Sequence, residues 1–115
     1  MHRIQDYQII KFDEIAYKFP ELKFKCIICD VGNRNRLNLL LKKAKVDVIY
    51  HAAAYKHVPL LEENPWQAIT NNIIGSQTVM QAAAEYHVQN FVVVSTDKAV
   101  APTNVMGATK RMTEL

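Results

Sequence analysis

The run Phe91-Val92-Val93-Val94 is apolar at every position and stops abruptly at Ser95-Thr96-Asp97-Lys98. A strand that is apolar on both faces has to be covered on both faces, the situation of a parallel sheet sandwiched by helices. The 115-residue chain around this run alternates accordingly. Ile9, Phe12, Ala16 and Phe19 follow helical spacing over roughly residues 5–19 and are stopped by Pro20. A strand is expected from Phe24 to Cys29, and Asp30-Val31-Gly32-Asn33 is turn chemistry. Leu37, Leu40, Leu41 and Ala44 share one face of a second helix. Asp47 opens a strand through Val48-Ile49-Tyr50-His51, and a polar loop containing Pro59 follows. Asn64-Pro65-Trp66-Gln67 is a helix start, with Asn as cap and Pro at the first position. Trp66, Ile69, Ile73, Met80 and Ala83 keep that helix in register to about Tyr86. A strand from Phe91 to Ser95 and a helix from about Gly107 complete an α-β-α-β-α-β-α order, an α/β fold with a parallel sheet in one domain over residues 1–115.

Composition narrows the function classes. Half the residues are hydrophobic and 22% are charged, the balance of a globular chain. The net charge of +3 is small and dispersed, so no nucleic-acid partner is expected. Arg34, Arg36, Lys42, Lys43 and Lys45 read as the solvated face of a helix. No stretch reaches the ~20 apolar residues of a membrane span, and no secretory signal follows Met1. Cys26 and Cys29 form a CxxC inside a predicted strand, where residues three apart point to opposite faces. They are expected to be small core residues of a reduced, cytoplasmic protein, not ligands or a disulfide. His51, His57 and His87 fit no zinc spacing, so no metal site is expected.

Chemistry concentrates after the apolar strand. The carboxyl ends of strands in open α/β sheets are where ligands bind, and Asp97 and Lys98 sit there side by side. Lys110 follows Met106 by four residues, one helical turn on and on the same face. Ala52, Ala53 and Ala54 follow the earlier strand without bulk, which suits either a ligand lying on the backbone or tight packing. Asn72 and Gly75 read equally as a functional pair or as a helix-packing pair.

HAAAYKHVP at positions 51–59 and STDKAVAPTNVMGATK at 95–110 are long and idiosyncratic. With Pro20-Glu21-Leu22, Asp30-Val31, the rest of Asp47–Pro65 and Asn72-Ile73-Ile74-Gly75, they resemble the extended short-chain dehydrogenase/reductase superfamily, and within it the UDP-N-acetylglucosamine 4,6-dehydratases of polysaccharide biosynthesis. Tyr7-Gln8-Ile9 joins that set. The resemblance implies a Rossmann-type domain and a UDP-sugar substrate. In the reaction it implies, NAD or NADP oxidises C4, water leaves across C5 and C6, and hydride returns to C6. It places Asp97 as acid and Lys98 as base, so the carboxyl's pKa must rise and the amine's must fall, with both facing the cavity of the alanine triplet. Thr96 is a further catalytic candidate. Asp30 and Val31 would hold the adenine, Ala52–Ala54 would line the cofactor site and Lys110 would hold the nicotinamide ribose. Lys56 and Asn104 would contact substrate. Where the superfamily carries a Tyr, this chain has Met106. A thioether exchanges no proton, so Thr96 or Asp97 is left to serve C4 oxidation.

The family's domain opens with a GxGxxG turn that brings backbone N–H groups to a pyrophosphate. This chain has three glycines, Gly32, Gly75 and Gly107, and none forms such a turn. It therefore looks like an internal fragment, a partial Rossmann-type sheet lacking its first strands and its phosphate loop, and it is expected to fold poorly and to be inactive alone. Strands one and two would lie between the Phe24 and Val48 strands in the usual order, so the Phe24 strand is expected to lose its partners. Two alternatives stand beside the dehydratase reading. One is a nucleotide-sugar 4-epimerase. The other is a non-catalytic remnant or interaction module, with helix 66–86 as a surface for homo-oligomer formation.

Overall fold

The structure, a computed structural model, describes residues 13–115. The matching segment Tyr7-Gln8-Ile9 and the start of the first expected helix lie outside the described residues, while residues 13–18 are helical. Helix α1 (Arg34–Ala44) starts at Asn33, whose Oδ1 accepts the Arg36 N–H at 3.0 Å. It ends at Lys45 in the left-handed region (φ 49°), with Lys42 and Lys43 in the last turn facing its negative end. Strand β1 (Val48–His51) leads through the alanine triplet to helix α2 (Val58–Glu63). Helix α3 (Pro65–Ala68) runs on through a π-helical turn (Ile69–Ile74) into helix α4 (Gly75–Glu85). Strand β2 (Asn90–Val93), a 3-10 turn (Asp97–Ala99) and helix α5 (Val105–Thr113) follow.

The two strands form a parallel pair, with Val48 opposite Asn90 and His51 opposite Val93. Helix α4 covers the face carrying Ile49, His51, Phe91 and Val93. The opposite face is open, with Tyr50 74% exposed. The expected two-sided cover of the Phe91 strand is therefore not made by the described residues. Arg34 brackets α1 to α4: its guanidinium donates to the Thr78 carbonyl at 3.2 Å and pairs with Glu85.

Three expectations need correction. The segment Phe24–Cys29 is no strand; among the described residues it pairs with nothing, and Ile28 is 97% exposed. A strand cannot exist without a neighbour to fill its ladder. Cys26 is exposed and Cys29 half-buried, so neither is a core residue. The loop read at Pro59 is in fact α2, because proline suits a first helical turn, where its missing N–H has no partner to lose.

The Asn64 helix also differs in detail. Asn64 stands at the cap position, but its amide donates to the Leu60 carbonyl at 2.9 Å instead of capping. The π turn inserts a residue into the helical register. The buried stripe becomes Ala68, Asn72, Gly75, Ser76, Val79, Ala82 and Ala83, and Trp66 is left 77% exposed.

Candidate active site

The site is built where both strands end. After β2, Thr96 Oγ1 takes the cap position of the 3-10 turn and accepts the Lys98 N–H at 3.4 Å, while Ala99 is fully buried and anchors the turn. Helix α5 packs directly against this turn. The contact depends on Gly107: a Cβ there would lie 2.2 Å from the Lys98 carbonyl oxygen. Asn104 Oδ1 caps α5 by accepting the Gly107 N–H at 2.7 Å, and Glu62 Oε1 accepts the Val105 N–H at 2.6 Å. One helical turn on, Lys110 is buried, and its Nζ donates to the Val94 carbonyl at 2.5 Å, so two of its N–H groups have no partner among the described residues. Burial lowers its pKa, with Glu114 opposing.

Asp97 and Lys98 form an ion pair at 3.6 Å. The Asp97 side chain is 90% exposed. Its pKa is lowered, first by the Thr96 hydroxyl, which donates to it at 3.0 Å, and then by the Lys98 charge. The expected upward shift of a general acid is thus reversed, because the carboxylate is exposed among the described residues and is held ionised by the Thr96 hydroxyl and the Lys98 charge. Nor does one cavity hold all the expected groups. Ala54 and Lys56 line an open cavity of about 680 Å³ with Tyr55, His57 and Leu61, whereas Asp97 stands in solvent at the rim. Ala52 and Ala53 are exposed at the end of β1.

Asp30 Oδ1 accepts the Gly32 N–H at 2.8 Å, which fixes the turn after the unpaired segment. Val31 packs on Gly75, where a Cβ would come within 2.9 Å of Val31 Cγ2. Asn72 is fully buried and holds Tyr55 by both backbone groups, accepting its N–H at 2.8 Å and donating to its carbonyl at 3.2 Å. It also donates to Thr109 Oγ1 at 3.0 Å, tying the loop after β1 to α5. The pair left open by the sequence, Asn72 and Gly75, is therefore a latch and a packing contact.

Sequence reasoning missed the continuation of this network. Ser76 Oγ donates to the Asn72 carbonyl at 2.6 Å, so its lone pair receives His51 Nε2–H at 2.8 Å. His51 is buried and its pKa is lowered, by burial first and by the Lys110 charge second. The available signal was Asn72 and Ser76, two polar residues four apart on a helix face that is otherwise small and apolar. Met106 is buried against Leu61 and Ala68, with Val58 and Val105 packed around them, and plays a packing role.

The family model described as "Polysaccharide biosynthesis protein" matches residues 2–115. The chain belongs to the polysaccharide biosynthesis protein family. It is 52% identical over 105 residues to the probable polysaccharide biosynthesis protein EpsC of Bacillus subtilis, covering 90% of this chain and 18% of that one. It is 42% identical over 101 residues to the inverting UDP-N-acetylglucosamine 4,6-dehydratase of Campylobacter jejuni (88% and 30% covered). It is 41% identical over 118 aligned positions to a UDP-glucose 4-epimerase of Rickettsia bellii (96% and 33%). The backbone superposes on the crystal structure of UDP-glucose 4-epimerase from Bifidobacterium longum with a TM-score of 0.80 over 88% of this chain and 35% of that one; at 16% identity this speaks to the fold alone, a partial Rossmann-type α/β domain. The chain spans 16% to 33% of the lengths of the curated relatives it matches. Among the described residues no helix is long and apolar enough to cross a membrane.

Proposed function

We propose that this chain is the part of a UDP-N-acetylhexosamine 4,6-dehydratase that carries its reacting groups, serving surface polysaccharide synthesis with NAD or NADP. The observation that carries this reading is the rim itself. A buried lysine with free N–H groups and an Asp-Lys pair are set on one helix-turn unit, at the carboxyl ends of parallel strands. That rim fits a dinucleotide in two respects. Ala52 and Ala53 offer exposed backbone without bulk, and the two free N–H groups of Lys110 suit ribose hydroxyls. Asp30 keeps one carboxylate oxygen beyond its bond to Gly32 for the adenosine end, and Val31 would lie beside it. The nicotinamide, when bound, supplies hydride uptake and return.

The protein's own groups do the rest. Lys98, as the base, takes the C5 proton, with Asp97 3.6 Å away. Asp97 is ionised in the free chain, so acid catalysis at the C6 hydroxyl requires bound substrate to strip its water and raise its pKa. Thr96, which donates to Asp97 at 3.0 Å, would pass a sugar proton to that carboxylate. Lys56 in the loop cavity and the amide nitrogen of Asn104, unpartnered among the described residues, would hold the substrate's polar groups. A homo-oligomer through helix 66–86 accords with the exposure of Trp66 and Ile74.

The experiment is product analysis of the full-length protein that carries this segment, with UDP-N-acetylglucosamine and NAD or NADP, together with amide shifts of the same labelled protein. A product lighter by one water, with shifts at Ala52–Ala54 and Lys110, is expected. The epimerase reading, favoured by the Rickettsia relative, requires an isomer of unchanged mass. The interaction-module reading requires neither conversion nor shifts at the rim.

A further inference from the structure

Helix α5 meets α2 through two kinds of contact. Beneath is the small apolar cluster of Leu61, Ala68 and Met106, with Val58 and Val105 against it. Above it, Glu62 Oε1 accepts the first N–H of α5, from Val105, at 2.6 Å. Asn104 takes the Gly107 N–H and the Asn104 carbonyl takes the Ala108 N–H at 3.0 Å, so the Met106 N–H alone lacks a partner among the described residues. A carboxylate at this end of a helix bonds the orphan donor and also offsets the positive end of the dipole. The segment it comes from matters as much. Helix α2 begins two residues after Lys56, behind the cap residue His57, while α5 carries Lys110 and closes on the Lys98 turn through Gly107.

On this basis, and resting on the reading proposed above, we infer that Glu62 is a positioning residue: it fixes the start of α5 relative to the Lys56 loop and thereby holds Lys110 seated on the Val94 carbonyl. Asn72 ties the same two parts together from the buried side, through Tyr55 and Thr109. Glu62 is the outer tie, and it is the one that reaches the end of the helix where the Lys98 turn packs.

The test uses the whole labelled protein carrying Glu62→Ala or Glu62→Gln, with no nucleotide or sugar added. Failure of sugar conversion therefore leaves this result untouched. Two quantities are read by NMR: hydrogen exchange of the Val105 amide against that of Val79 in α4, and titration of the Lys110 ammonium. In Glu62→Ala, Val105 exchange is expected to rise about tenfold, the size of effect of a lost helix cap, with Val79 unchanged. Lys110 titrates closer to an ordinary lysine as its seat loosens. Glu62→Gln, which keeps an acceptor oxygen, restores both to within about twofold. Unchanged Val105 and Lys110 in Glu62→Ala would overturn the inference, as would equal acceleration of Val105 and Val79, which marks a general loss of stability. If Glu62→Ala does not fold, loss of Val105 protection in a folded Glu62→Gln overturns it as well.

Discussion

At the scale of single residues, the site depends on one glycine and two buried bases. Gly107 lets α5 touch the backbone of the Lys98 turn, and an added methyl would sit 2.2 Å from a carbonyl oxygen. Backbone cannot yield as a long side chain can. Gly107→Ala is expected to cost about 1–3 kcal/mol, as overpacking does, and to displace Lys98; urea unfolding and the amide shifts of residues 96–100 check both. Lys110 is held as a buried ammonium beside a carbonyl. Lys110→Met removes a charge that burial disfavours, so stability should hold or rise by about 1 kcal/mol while cofactor binding is lost. Thermal unfolding beside NAD titration reads the two effects separately.

His51 gives the pH dependence. Folding lowers its pKa below the ordinary 6.5, so in the window just beneath that value the unfolded chain binds more protons than the folded one. Its contribution to stability is complete above 6.5 and disappears as pH falls through the lowered folded value. Urea midpoints should therefore drop between neutral pH and pH values below 6.5. His51→Gln, which keeps a donor for Ser76 but does not titrate, should flatten that part of the profile. An unchanged slope in the variant would assign the drop to other groups.

At the scale of elements, Asn72 is the residue with most to lose. Its carboxamide satisfies both backbone groups of Tyr55, in part-buried bonds, and the buried Thr109 hydroxyl. Asn72→Ala should cost about 1–3 kcal/mol, chiefly for the buried Thr109 hydroxyl and the part-buried Tyr55 backbone left without their partner, with the loop 52–57 loosening first in hydrogen exchange. Elements specified by local pattern were legible in the sequence. Val48–His51 formed as expected, and α5 begins at Val105, two residues before the expected Gly107. The Phe24–Cys29 strand was misread because a strand is a property of two segments, and only one is present to the pattern reader. The π turn was invisible for a different reason. It inserts a residue into an otherwise regular helix, so Trp66, in phase by ordinary counting, turns outward while Asn72 and Ser76 turn in. The site residues could be placed at the rim by motif, but the exposure of Asp97 depends on what covers it, which no local pattern encodes.

At the scale of the whole molecule, the described residues form a well-tied half-site and an untied flank. The clamp of α2, the π turn and α5 on the rim is stitched by Glu62, Asn72, Asn104 and Gly107. Residues 23–29 have no backbone partner among the described residues, and Phe24, Ile27 and Ile28 are exposed. Limited proteolysis of the chain should therefore cut between residues 22 and 30 well before α4. First cleavage within α4 would contradict the packing described. The functional account reduces to one atom's journey. With the full-length protein that carries this segment, UDP-N-acetylglucosamine deuterated at C4 and NAD or NADP, a product one water lighter with deuterium at C6 is predicted. A product of unchanged mass that keeps deuterium at C4 with inverted configuration would contradict it, as would unaltered substrate.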